Sequence, residues 1–140
     1  MHPLAVVLLL LGLVALATVL GLVWRVRQGR PASVAETDAL HPSLFGDASA
    51  LGARATLVQF STQHCSTCPA THRLLSEVSR RTTGVVHLDV DVTERADLIR
   101  RFSILQTPTT LILDRHGVVR TRIGGSVRRD VVESRLEELV

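Results

Sequence analysis

The chain has no lysine and no tyrosine, and only one tryptophan, one methionine and two cysteines among its 140 residues. Each shortage removes a class of function. Without aromatics interleaved among basic residues there is no platform on which nucleobases would stack. The net charge of +3 resides in Arg25, Arg27 and Arg30, because the sixteen arginines less these three equal the thirteen acids. The remainder is formally neutral, so the basic pI is no argument for nucleic-acid binding. A single methionine, the initiator, and scattered histidines supply no feeding tract for a soft metal ion. One cysteine pair with no second CxxC leaves a structural zinc site two ligands short. There is no internal repeat and no low-complexity tract.

What is present begins with a long uncharged run, LAVVLLLLGLVALATVLGLVW, from Leu4 to Trp24. As a helix at about 1.5 Å per residue it spans roughly 30 Å, the hydrocarbon thickness of a bilayer. Trp24 ends it where an interfacial aromatic belongs. A cleaved secretory signal is the competing reading. The opening "MHP" has no basic region, the run is long, and an Ala-x-Ala site is missing, so residues 1–27 are expected to be an uncleaved, single-pass membrane anchor. The three arginines that follow it favour a cytoplasmic location for the rest of the chain, where thiols are kept reduced.

Residues 28–42 read as a linker and 43–140 as a globular domain. Leu40, Leu44, Phe45 and Leu51 are apolar enough to dock as an irregular or short helical start. Residues 55–60, ATLVQF, read as a buried strand. Residues 66–81 read as a helix with Leu74, Leu75 and Val78 on one stripe, stopped by Gly84. A strand over 85–92 follows. Thr93 is placed to cap a helix over 94–102. Strands 109–114 and 118–123 flank Arg-His-Gly and predict an antiparallel hairpin. Ser126 is placed to cap a last helix with Val131, Val132, Leu136 and Leu139 on its apolar stripe. The order strand, helix, strand, helix, strand, strand, helix implies an α/β fold, a central mixed sheet flanked by helices.

Both cysteines lie in QHCSTCPATH, as Cys65 and Cys68, after the first strand and at the start of the helix. Unpaired N–H groups and the dipole of a helix's first turn stabilise an anion there, so a thiolate at Cys65 would gain and its pKa would fall below the free value of about 8.5. Cys68, one turn on, suits a disulfide with it. One sulfur can attack a disulfide and the other displace it, the parts of a dithiol exchanger. Two other readings remain open at this point. A soft ion, copper or zinc, held by the pair with His64, His72 or a second chain would make a metal carrier. A redox-inert adaptor would use the same region only to bind peptides. A purely structural bridge across two residues restricts the unfolded chain little.

The stretch LQTPTTLIL sets Pro108 just before a buried strand, about forty residues after the cysteines. With TLVQF, the CxxC, TPT and GVVRTRIGG in this order, the chain resembles the thioredoxin family over about residues 55–140. The resemblance implies a thioredoxin fold and a thiol–disulfide oxidoreductase. Cys65 would be the nucleophile, Cys68 the resolving thiol, and Thr107-Pro108 a cis bond offering backbone hydrogen bonds to an extended substrate. It implies no cofactor and no metal. The partners would be a disulfide-containing protein and a dithiol electron donor.

Several positions depart from the family pattern. His64 stands for the usual tryptophan and Ser66-Thr67 for Gly-Pro. Pro69 replaces a basic residue, and Arg73 the kinking proline. Gln59 occupies the place of the buried aspartate that helps deprotonate the resolving thiol, and an amide takes up no proton at neutral pH. His87 falls where a lysine is common, and is expected to be a strand histidine without a proton-transfer role. His72 reads as a helix-surface residue. His64, Ser66, Thr67 and Gln59 are therefore candidate modulators of the pair.

Overall fold

The computed structural model describes residues 3–27, 31–33, 40–45 and 51–139. Much of the expected linker, residues 28–30 and 34–39, lies outside the described residues. Helix α1 runs Pro3–Arg27. Among the described residues it is the one helix long and apolar enough to cross a membrane, with a mean hydropathy of 3.0 in its 18-residue window and no residue buried. The hydroxyl of Thr18 donates to Val14 O at 2.8 Å, so this polar group is satisfied within the apolar helix.

The remaining elements are β1 (Pro31–Ser33), a 3-10 turn (Pro42–Phe45), β2 (Ala55–Ser61), α2 (Cys68–Arg81), β3 (Val85–Asp91), α3 (Ala96–Arg101), β4 (Thr109–Asp114), β5 (Val119–Gly124) and α4 (Arg129–Glu137). The sheet order is β1-β5-β4-β2-β3. Strands β2 and β3 are parallel, joined across α2, whereas β4 pairs antiparallel with β2 and with β5. This is the mixed sheet that the element order implied, and the thioredoxin fold that the resemblance implied. Strand β1, inside the stretch read as linker, adds an antiparallel edge to β5.

Alternation along the strands splits the core into two layers. Val58, Phe60, Val90, Leu111 and Leu113 face Leu98 of α3 and Leu40. Ala55, Leu57, Val85, Ile112 and Ile123 face Leu75 and Val78 of α2 and Val132 and Leu136 of α4. The predicted start of the domain docks as expected. Leu44, Phe45 and Leu51 pack on the first layer, where the Phe45, Phe60 and Phe102 rings lie 5.1–6.3 Å apart. Leu40 donates its N–H to Gly117 O at 2.9 Å, tying this segment to the β4–β5 turn.

Element ends differ from the sequence expectation in physically instructive ways. Helix α2 begins at Cys68, with Thr67 as its N-cap, two residues later than predicted. Thr93 does not cap α3, whose N-cap is Arg95. Its hydroxyl and N–H are instead turned back to the Asp91 carboxylate. Nor does Ser126 cap α4, which starts after Arg128. At Thr93 a local side-chain bond won over the capping position that the sequence offered.

Gly52 lies where two chain segments meet. A Cβ there would sit 2.1 Å from Ala55 O and 2.6 Å from Gly84 O, both backbone atoms that cannot swing aside. Gly52→Ala is therefore expected to destabilise the fold by about 2–3 kcal/mol. A lowered urea midpoint for the full chain in detergent would report it; an unchanged midpoint would show that the close approach is dispensable.

Candidate functional site

The site is set by the end of β2. Residues Ala55 to Phe60 are wholly buried, so the strand's exit is fixed by packing on both faces. The chain leaves at Ser61, turns through residues 62–67 and enters α2. Within that turn the Cys65 N–H donates to Thr62 O at 3.2 Å. Cys65 thus precedes the helix rather than lying in its first turn, two residues ahead of the N-cap. Gln63 N donates to Thr93 Oγ1 at 3.1 Å, and Thr93 is held by Asp91, whose pKa this bonding lowers. The turn is so fastened to the loop after β3.

Cys65 and Cys68 are joined in a disulfide, with Cα atoms 5.4 Å apart. They are not equivalent. Cys65 is partly exposed, whereas Cys68 is 5% exposed. The Thr67 hydroxyl lies 3.8 Å from Cys65 Sγ. His64, Ser66 and Thr67 are all exposed. Beneath Cys68, fully buried Gln59 donates from Nε2 to the Cys68 carbonyl at 3.1 Å. Its Oε1 and the hydroxyl of Thr110, its register partner on β4, are buried without a hydrogen-bond partner among the described residues.

The Thr107-Pro108 bond is cis. Thr107 Oγ1 lies 3.1 Å from Thr62 Oγ1, so the residue before the proline is bonded to the turn that carries Cys65. Gly125 N donates to Pro108 O at 2.8 Å, which fastens the proline to the glycine that follows β5. Arg122 of β5 reaches across to the carbonyls of Phe102 and Ser103, the latter at 2.7 Å, and holds the positive-φ turn at Ser103 that leads into this loop. Burial lowers the Arg122 pKa, but a guanidinium remains charged.

A groove of about 400 Å³ opens beside the disulfide, lined by Cys65 and Cys68 together with Ser61, His72 and Asp89 among others. Sequence does not single out Thr62 or Asp89, offers Thr93 only as a helix cap, and gives His72 as a helix-surface residue or, in the metal-carrier reading, a ligand. Their only signal was the strand register: Gln59 pairs with Asp89, which puts this carboxylate at the C-terminal end of β3 beside α2. Among the described residues no three or more His, Cys, Asp or Glu side chains form a group that could hold a metal ion.

The thioredoxin family model matches residues 38–138. The chain belongs to the thioredoxin family. No curated protein sequence matches it. Solved thioredoxins resemble its fold. One is thioredoxin-2 of the malaria parasite, described as a component of that parasite's protein secretion machinery; it is 17% identical with a TM-score of 0.55, covering 61% of this chain and 82% of that one. A mutant thioredoxin from Halobacterium salinarum is also 17% identical with a TM-score of 0.55, covering 61% and 74% respectively. Oxidised mitochondrial thioredoxin 3 of Saccharomyces cerevisiae is 18% identical with a TM-score of 0.53, covering 61% and 78%. At this identity the likeness concerns the fold alone.

His87, on β3 one strand step from Asp89, is part-buried and bonded through Nδ1 to Ser76 Oγ at 3.0 Å. Burial first, and the neighbouring His72 second, depress its pKa from 6.5 to about 4, against an opposing pull from Asp89. The folded ring therefore refuses a proton that the unfolded chain accepts near pH 6.5. Stability is complete above that value and is lost as pH falls to about 4. The expected loss is about 2 kcal/mol, below the full value of the shift because the ring is partly solvated. His87→Gln should flatten the difference between urea midpoints at pH 7 and pH 4; an equally steep fall in this variant would assign the acid sensitivity elsewhere.

Proposed function

We propose that this thioredoxin-family chain is a membrane-tethered thiol–disulfide oxidoreductase. The observation that carries the reading is the unequal exposure of the bonded pair at the mouth of the groove. When the pair is reduced, the accessible Cys65 thiolate attacks a cystine in a partner protein. One sulfur of the partner leaves, and Cys65 is held in a mixed disulfide. The sheltered Cys68 then displaces the second partner sulfur and regenerates the Cys65–Cys68 bond. Two electrons pass to the partner, and a dithiol donor protein returns two to the pair. The exchange needs no cofactor. Thr107 and Pro108 would offer backbone hydrogen bonds to an extended substrate segment beside Cys65. His64, Ser66 and Thr67, next to Cys65 in the chain, would modulate its thiolate, and Gln59, bonded to the Cys68 carbonyl, would modulate the resolving thiol.

A Cys68→Ser variant should accumulate a reductant-sensitive adduct with its partner on a non-reducing gel, and Cys65→Ser should form none. If Cys68→Ser yields no thiol-linked adduct, the oxidoreductase reading fails.

The helix Pro3–Arg27 is the proposed tether, with Arg25 and Arg27 at its end keeping the thioredoxin domain on the cytoplasmic side. Reporters fused to the C-terminus should work when they require the cytoplasm and stay silent when they require export. The opposite pattern would reverse the orientation and, with it, favour oxidation or repair over reduction.

A further inference from the structure

The resolving step leaves a chemical question. Cys68 is sheltered and must lose a proton before it can attack, yet Gln59 beneath it is an amide and accepts none. A different base stands nearby. His72 lies one helical turn after Cys68, on the same face of α2, and lines the same groove as both sulfurs. Its Nδ1 is 2.9 Å from Asp89 Oδ2. The other carboxylate oxygen accepts the Ser61 hydroxyl at 2.6 Å. An ionised carboxylate only accepts, so Nδ1 carries the hydrogen and Nε2 presents a lone pair. Asp89 is anchored twice, by the β2–β3 register and by Ser61, and in turn sets the imidazole's tautomer and orientation.

We infer that His72, oriented by Asp89, is the base that takes the Cys68 proton when the mixed disulfide is resolved. The inference rests on the oxidoreductase reading and names the proton carrier of that same site. The step balances. The Cys68 S–H bond breaks and its proton moves to His72 Nε2. The Cys68 thiolate forms a bond to Cys65 Sγ, and the bond from Cys65 to the partner sulfur breaks. The partner leaves as a thiolate, which takes the proton from the imidazolium. The Cys65–Cys68 pair is oxidised by two electrons and the partner cystine reduced by the same two.

The groups facing His72 suit this role. Asp89 on β3 faces the imidazole, and Arg73, beside it on α2, is the cation that lines the groove. His87 on β3 meets the His72 ring edge-on at 4.9 Å, with its own Nδ1 engaged by Ser76. His87 stays neutral at working pH and so does not compete for the proton. Side-chain exposure of 48% lets His72 return a proton to the partner or to solvent.

The test uses the reduced full chain in detergent and a stoichiometric amount of 5,5'-dithiobis(2-nitrobenzoate). Cys65 attack releases one nitrothiolate and Cys68 attack the second, so a single trace reports both steps. His72→Asn keeps a donor for Asp89 but lacks the base. It is expected to leave the first phase unchanged and to slow the second at least about tenfold at pH 7. Its rate should converge on that of the wild type above about pH 9.5, where the thiol ionises unaided. Asp89→Asn should slow the second phase less, with the same convergence. A second phase within twofold of wild type at pH 7, or slowed equally at alkaline pH, overturns the inference while leaving the oxidoreductase reading intact. A wild type that shows no first phase overturns that reading, and this inference with it.

Discussion

The arrangement depends on the burial of β2. Its six residues from Ala55 to Phe60 have helices or loops against both faces and a strand on each side, β3 parallel and β4 antiparallel. A strand so enclosed has one register, since a slip by one residue would exchange its two apolar layers. That register places Gln59 under the Cys68 carbonyl, sets Asp89 and Thr110 on either side of it, and fixes where the chain emerges at Ser61. The cysteine turn is then fastened at three points: Thr62 to Thr107, Gln63 to Thr93, and Gln59 to Cys68. A dithiol that must change its bonding without moving its backbone gains from such a frame.

The polar groups of the site divide between two levels. Below the pair lies an uncharged layer, Gln59 and Thr110, where thioredoxins commonly bury a carboxylate. Beside the pair, at the rim of the groove, a carboxylate, an imidazole and a hydroxyl form a connected chain in Asp89, His72 and Ser61. Moving the ionisable groups to the rim avoids the desolvation cost of a buried charge. It also leaves them in contact with solvent, which supplies and removes protons. Burial has withdrawn the His87 ring behind them from titration near pH 7.

Much of the fold was legible in the sequence because each core element carries its own periodicity. Strand β4 has the predicted bounds, and the predicted apolar positions of α2 and α4 are the ones that pack. The errors were at helix starts. Ser66, Thr93 and Ser126 are all residues that favour an N-cap, yet the helices start two or three residues later, and at Thr93 the choice depends on neighbours that include one distant in sequence. Thr93, for example, answers to Asp91 on one side and Gln63 on the other. The three-residue strand β1 has too few residues to show a period and is defined by β5 alone.

The sequence by itself determined that two sulfurs stand at the junction of a buried strand and a helix. It also determined that a Thr-Pro pair precedes a later strand and that a bilayer-length apolar helix precedes the domain; that an amide lies beneath the sulfurs was implied only by the resemblance to thioredoxins. What it determined follows from spacing, hydropathy and side-chain chemistry, which are local. Only the tertiary structure decided which ionisable groups share the groove with the pair. Asp89 and His72 are seventeen residues apart and Thr62 and Thr107 forty-five, and each pair meets through sheet register and the path of α2. Hydrogen bonds between such groups are formed by packing that closes long stretches of chain, and no periodicity in the intervening residues announces them.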